Sequence, residues 1–497
     1  MSSRSILCNF ILLSITILAL LFSGVSYAQH TDCYTILVGK EATMDGSVII
    51  AHNEDDRGEL LVDWYIVPRL QHSQGEKLRL KNGALIDQVE ETYSFLWLEM
   101  PGEDFADSYM NEWGVVVASN QCPSKESFGD LVDGGVGYFL RRIMVERAKS
   151  AREAVKIAGR IIEEVGYYYS GRTYCIADPD EAWMLSVVQG KHWVARRVPD
   201  DEVAIIPNYY TIDYVDLSDT LNYLGSPDIV QYAVNRGWFT PGPGREFSFR
   251  EAYSPARILY GIWNIPRHLG GLNLLAERKY SYHEKLPFSF KPEKKLSLED
   301  IMNVLRYHYE GTEFEMNPSY NNGNPHVSTV SRICASTNRY GFVAQLRSFL
   351  PREIGNVLWL APRRPCVQPF IPWYSGITKV PQEYTRGDYR KALENHFKVS
   401  QNIKLTCPEH AYWVFSRFAD MVDSNYASMI GEVRGWRDEF QGKLLDEQGA
   451  FESKALKVYK KDRGKARKML TDYTCKVAQE VLKKTEEKLR QLRENVH

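Results

Sequence analysis

Cys33 opens the first strand-forming stretch of the chain, four residues past an export-type leader. That placement constrains the fold more than any composition figure. In the leader, residues 1–28, Arg4 supplies the positive end, Ile6–Phe22 is apolar, and Ser26-Tyr27-Ala28 is a small-x-small cleavage site. A retained membrane anchor is the competing reading, because the apolar run is longer than a typical signal core. The cleavage site favours export, to a periplasmic or extracellular destination. No other segment is long and apolar enough to span a bilayer, so no stable membrane insertion is expected after signal removal. Residues 29–32, Gln-His-Thr-Asp, then read as a short propeptide. Their loss would make Cys33 residue one. An N-terminal cysteine carries its own base, an α-amine with a pKa of about 8, so the thiol needs no histidine to become a nucleophile. The structural alternative is a disulfide cysteine.

Cysteine arithmetic bears on that choice. Of eight cysteines, Cys8 departs with the leader, leaving Cys33, Cys122, Cys175, Cys334, Cys366, Cys407 and Cys475. Seven is odd, so in an oxidising compartment at least one thiol stays free. Pairing among the other six is open. The 497 residues are 44% hydrophobic and 25% charged, which excludes disorder and a polytopic membrane protein. Sixty-one basic against 63 acidic residues give net -2, so no nucleic-acid partner is expected. The balance is uneven. Residues 454–497 hold 14 Lys/Arg and 6 Asp/Glu, net +8, against -10 elsewhere. The solvated face of a peripheral helix explains this more simply than an anionic partner.

Period and turn signals give a strand–helix–strand–helix order. Residues 33–67 read as a hairpin of strands around Met44-Asp45-Gly46, and Val115–Ala118 as a buried strand after the Glu112-Trp113-Gly114 turn. Val136–Lys149 and Ala151–Val165 read as helices, the second stopped by Gly166. Tyr174–Ala177, Trp183–Val188, Trp193–Val198 and Val203–Pro207 return to strands. Ser297-Leu298-Glu299-Asp300 is a capping box opening a helix through Tyr309. Phe342–Leu346 and Asn356–Leu360 are strands, and from Asp388 the chain is helical, with Leu470, Tyr473, Val477 and Val481 on one stripe. This order suits an α+β layered fold.

Common site signatures are missing: no HExxH, GxxxxGK[ST], GxSxG or CxxC. The run His52-Asn53-Glu54-Asp55-Asp56 clusters an imidazole with three carboxylates but lacks a second histidine at helical spacing, so neither a metal nor a cofactor is assigned.

The segments around Cys33 identify the chain further. Cys33-Tyr34-Thr35-Ile36-Leu37-Val38-Gly39, Met44-Asp45-Gly46-Ser47 and Ile50-Ala51-His52-Asn53-Glu54-Asp55 closely resemble the start of the dipeptidases of the N-terminal-nucleophile hydrolase superfamily, with the secernins as relatives. Met110–Asn120, Val145–Ala154, Ala177–Trp183, His192–Ala195, Arg332-Ile333-Cys334, Gln345-Leu346-Arg347 and Pro372–Gly376 continue the resemblance, in order, along some 340 residues. The resemblance implies an αββα sandwich of two antiparallel sheets between helix layers over residues 33–385. A helical C-terminal extension, 386–497, would pack on the same domain. It implies hydrolysis of dipeptides after autoproteolytic exposure of Cys33.

Site roles follow from the resemblance. Cys33 is the nucleophile; Asp55 holds or orients the freed amine; Asn120 and Asn208 meet the oxyanion. The family arginine maps to Arg257, with Arg267 as the alternative. His52 stands where choloylglycine-type relatives carry arginine. His52, Asn53, Glu54 and Asp56 are candidates for substrate binding, Glu54 and Asp56 toward a free amino group. Small peptides are the expected partners, and a homo-oligomer is compatible with the sequence. Two other functions compete: an amidase acting on penicillin V or bile-salt conjugates, and a catalytically degenerate binding protein.

Overall fold

In the computed structural model of the chain, every residue of β1 (Tyr34–Val38) and β2 (Val48–Asp55) is buried. A continuous buried run means a strand covered on both faces. The structure describes residues 33–57, 59–315, 323–327, 330–399 and 402–494. The expected signal peptide and propeptide, 1–28 and 29–32, lie outside these.

One sheet holds seven strands: β1, β2, β10 (Val203–Ile206), β12 (Ser289–Phe290), β13 (Asn338–Leu346), β14 (Val357–Pro362) and β15 (Ile371–Tyr374). The other holds eight: β3 (Asp63–Val67), β4 (Phe95–Glu99), β5 (Ser108–Asn111), β6 (Val116–Gln121), β7 (Tyr167–Ala177), β8 (Ala182–Gly190), β9 (Trp193–Val198) and β11 (Tyr223–Gly225). Their spatial orders are β12-β10-β1-β2-β13-β14-β15 and β11-β9-β8-β7-β6-β5-β4-β3. All pairings within both sheets are antiparallel.

The sheets face each other through β1 and β2 against β6 and β7. Helices α1 (Phe139–Arg147) and α2 (Ala151–Val165) cover the outer face of the eight-stranded sheet, where Ile143, Val155 and Ile162 meet Val117, Ile176 and Leu185. Ser150 caps α2 by accepting from the Glu153 N–H at 3.2 Å, and Gly166, at φ +80°, ends it. On the seven-stranded sheet lie α4 (Ile265–Leu275), which follows the short α3 (Ala256–Leu259), and α5 (Leu298–Leu305). Beyond them come α6 (Ala411–Ser424), α7 (Tyr426–Tyr459) and α8 (Arg463–Glu494). The result is the αββα layering with a helical C-terminal region. Among the described residues no helix is long and apolar enough to cross a membrane.

Two expectations shift. β3 leaves the β1–β2 hairpin and joins the opposite sheet as an edge strand. The capping-box helix begins as expected, with Ser297 and Asp300 reciprocally bonded, but stops at Leu305. Tyr309 sits at φ +70°, which a continuing helix excludes. One glycine matters for the site: a Cβ on Gly271 of α4 would collide with the Tyr34 hydroxyl, so glycine lets that helix close on the residue after Cys33. Leu470, Val477 and Val481 of α8 are buried, and α8 packs on β15, α6 and α7.

Candidate active site

Cys33 precedes β1 and is buried, at 3% exposure. Its Sγ lies 3.3 Å from Glu54 Oε1 and 3.9 Å from the Asp55 carbonyl oxygen at the end of β2. The β1–β2 register produces this meeting: Tyr34 pairs with Asn53 and Thr35 with His52, which brings the start of one strand to the end of the other. Burial pushes the Cys33 thiol well above its usual range. The charges of Glu54 and Asp55 push it further, against smaller pulls from the Asp55 main chain and Arg172.

His52 Nε2 lies 3.1 Å from Glu54 Oε2, and its Nδ1 lies 2.7 Å from Thr35 Oγ1. The imidazole therefore reaches Cys33 only through Glu54. Thr35 donates to Asn120 Oδ1 at 2.6 Å, and Asn120 Nδ2 donates to the Ile206 carbonyl at 3.2 Å. Asn120 thus ties β6 of one sheet to β1 and β10 of the other.

The arginine beside Cys33 is Arg267. Its Nη1 donates to the Cys33 carbonyl at 2.8 Å and to Asn208 Oδ1 at 2.9 Å. Nη2 donates to Asn264 Oδ1 at 3.0 Å, which also receives the Asn208 N–H at 3.1 Å. Arg267 is wholly buried on α4, whereas Arg257 is exposed on α3. The expected position of the arginine thus shifts to the alternative, because the short α3 leaves Arg257 exposed while the packed α4 carries Arg267 to the Cys33 carbonyl.

Asn53 departs from its expected role. Strand alternation turns it to the face opposite His52 and Glu54. There its Nδ2 donates to the carbonyls of Leu305 (2.9 Å) and Ile333 (2.8 Å), pinning the α5 and pre-β13 loops to β2. Asp56 lies just past β2, half-buried, with Glu103 hydrogen-bonded to it. Burial and the charge of Asp56 push the Glu103 carboxyl up to about 7, and Asp56 is itself raised, by burial first.

Several groups near Cys33 carry no local signal in the sequence. Arg141 of α1 is 1% exposed, with Nη1 3.9 Å from Glu54 Oε2 and no hydrogen-bond partner on any guanidinium nitrogen. Arg172 of β7 lies over the Phe105 ring at 3.7 Å and donates to Ser119 Oγ at 3.1 Å. Cys33, His52 and Glu54 hold donor atoms within 4.8 Å of one another, a spacing an ion could use. Both nitrogens of His52 are already engaged by Thr35 and Glu54.

Residues 32–439 match the model of peptidase family C69. The chain belongs to peptidase family C69. It is a hydrolase whose two stacked antiparallel sheets lie between helix layers. A probable dipeptidase of Latilactobacillus sakei is 27% identical over 413 residues, covering 80% of this chain and 83% of that protein. Probable dipeptidase A of Streptococcus pyogenes serotype M18 (strain MGAS8232) is 24% identical over 472 residues, covering 92% and 95%. Among solved structures, penicillin V acylase from Agrobacterium tumefaciens is 12% identical with a TM-score of 0.32, covering 66% of this chain and 82% of that one.

Proposed function

We propose that this family C69 hydrolase is an exported cysteine dipeptidase, made as a precursor and activated when Cys33 becomes residue one. The observation that carries this reading is the assembly at the head of β1: a thiol 3.3 Å from Glu54, with its own carbonyl held by Arg267. While residues precede Cys33, its nitrogen is an amide and cannot act as a base. Glu54 is the base in reach of the sulfur. It takes the thiol proton as Sγ attacks the Asp32 carbonyl and returns it to the nitrogen as the Asp32–Cys33 C–N bond breaks; the nitrogen leaves as the α-amine, and water cleaves the thioester.

In the mature enzyme the α-amine replaces Glu54 as base. Sγ attacks the scissile carbonyl, the amine takes the thiol proton and returns it to the leaving nitrogen, and water hydrolyses the acyl-enzyme. Asp55, ending β2 beside Cys33, orients the amine. Asn120 and Asn208 supply uncharged amides for the oxyanion, and Arg267 positions Cys33 and Asn208 together. Arg141, a buried cation without hydrogen-bond partners, is assigned to the substrate's free carboxylate, and the Asp56–Glu103 pair to its free ammonium.

The mass of the mature protein and a substrate panel test this. A chain starting at Cys33 has 465 residues, 497 less the first 32. That mass together with release of free amino acids from dipeptides is the expected result. A mature chain starting at Gln29 would remove the activation step. Hydrolysis confined to penicillin V or bile-salt conjugates would replace the dipeptidase reading with an amidase.

A further inference from the structure

Four donors outside the Cys33 cluster converge in the core: His308 Nε2, His326 Nε2, Cys334 Sγ and Cys366 Sγ. All four residues are buried, and their ligand atoms lie within 4.8 Å of one another. We propose that they form a structural zinc site that locks the α5–β13 and β14–β15 connections of the seven-stranded sheet against the C-terminal helices.

The distances match a tetrahedral ion. Bonds of about 2.3 Å to thiolate and about 2.0–2.1 Å to imidazole set donor–donor edges of about 3.3 Å between nitrogens and about 3.6 Å between nitrogen and sulfur. The two Nε2 atoms are 3.1 Å apart, and His326 Nε2 is 3.6 Å from Cys366 Sγ and 3.9 Å from Cys334 Sγ.

Second, the imidazoles are set for a cation. His326 Nδ1 faces Asp423 Oδ1 at 2.9 Å, and His308 Nδ1 faces Glu310 Oε1 at 3.3 Å. A carboxylate accepts, so each Nδ1 carries the proton and each Nε2 turns a lone pair inward. Two lone pairs then point at each other across 3.1 Å, an arrangement that a shared cation turns from repulsive to bonding. Carboxylate partners on the outer nitrogen are what orient zinc-binding histidines. Two thiolates and two imidazoles make a closed, soft set that favours Zn2+ over Ca2+ or Mg2+. With no position left for water, the ion's role is structural.

The connections give that role content. His308 follows α5, His326 lies in the 323–327 segment, Cys334 precedes β13, and Cys366 follows β14. Asp423 reaches in from α6 and also binds Arg364 at 3.2 Å. Each thiol gives its proton to solvent on binding, so loading one Zn2+ releases two protons and moves no electrons.

Zinc counted by plasma mass spectrometry on the full chain, expressed with zinc and purified without chelator, tests the proposal. About one zinc per chain is expected in the wild type and in Cys33→Ala, and near zero in Cys366→Ser. Because Cys366→Ser can fail to fold, the wild-type chain is also stripped and reloaded with Co2+. A tetrahedral visible spectrum with a thiolate-to-cobalt band in the near ultraviolet is expected. Zinc at background in the wild type, zinc lost in Cys33→Ala but kept in Cys366→Ser, a cobalt spectrum without thiolate bands, or a Cys334–Cys366 disulfide would each overturn it.

Discussion

Two buried clusters of this chain use the same residue types and wire them oppositely. At Cys33 the imidazole of His52 turns both nitrogens away from the sulfur, to Thr35 and Glu54, and a carboxylate faces the thiol. At Cys334 and Cys366 the carboxylates sit behind the imidazoles, His326 Nε2 faces both sulfurs, and His308 Nε2 lies 3.1 Å from it. A thiol facing a carboxylate has somewhere to send a proton. Thiols facing imidazole lone pairs make a set of four soft donors, the arrangement that the proposed zinc ion would bridge. Residue identity therefore does not separate a nucleophile from a ligand; the direction of each ring nitrogen does.

The sharpest break between the clusters is Cys33→Ala. It should lower dipeptide turnover by about 10⁴-fold or more, because no other group supplies the nucleophile. It should leave the zinc content alone. Equal loss of both would mean that the clusters are one unit. Arg267→Met comes next. Without the hydrogen bond to the Cys33 carbonyl, the nucleophile and Asn208 lose their common anchor, and a misplacement of about 1 Å costs about 10²-fold in kcat. An effect confined to KM would make Arg267 a substrate contact. Cys366→Ser probes the other cluster through stability: the thermal midpoint should fall by about 2 °C, a loss of about 2 kcal/mol for a chain of this length. An unchanged midpoint with abolished turnover would assign these thiols to catalysis.

Legibility followed how local each feature was. Ser150 and Gly166 bound α2 as its cap residues require, and Cys33 and Asn120 came from short motifs on one strand each. The two faces of β2 were also readable in principle, since a period of two separates Asn53 from His52 and Glu54. The zinc cluster was not. Its four donors come from four segments spread over residues 308–366, with no CxxC or HxxxH spacing, and only the antiparallel β2–β13–β14 pairing brings them together. Arg141 was equally silent: it is one of two adjacent arginines in α1, and folding alone places it against Glu54.

A smaller effect reads the approach to Cys33 through pH. The Glu103 carboxyl is raised to about 7, so it is charged above that pH and neutral below it. Asp56, raised by burial, gains a proton more readily than an ordinary aspartate. If this pair holds the substrate ammonium, acidification removes the attraction. KM for dipeptides should then rise severalfold between pH 8 and pH 6, about 1.4 kcal/mol or less of binding. Glu103→Gln should show a high KM at both pH values. A KM that falls on acidification would reverse the sign and place the pair elsewhere in the cycle.

The smallest effect separates two arginines ten residues apart in the sequence. Arg257 is exposed and lies on a four-residue helix, while Arg267 is buried and donates to the Trp263 and Cys33 carbonyls and to two asparagine oxygens. An exposed side chain away from such a network changes stability by about 0.5 kcal/mol or less. Arg257→Ala should therefore keep kcat/KM within about twofold, a ratio that 0.5 kcal/mol spans. Arg267→Lys should not match it, because a lysine ammonium cannot spread donors in a planar fork to the Trp263 carbonyl, the Cys33 carbonyl and two asparagine oxygens at once. If Arg257→Ala lost activity as steeply as Arg267→Lys, the α3–α4 turn would have to swing inward during turnover, and the resting contact of Arg267 with Cys33 would be only one of two states.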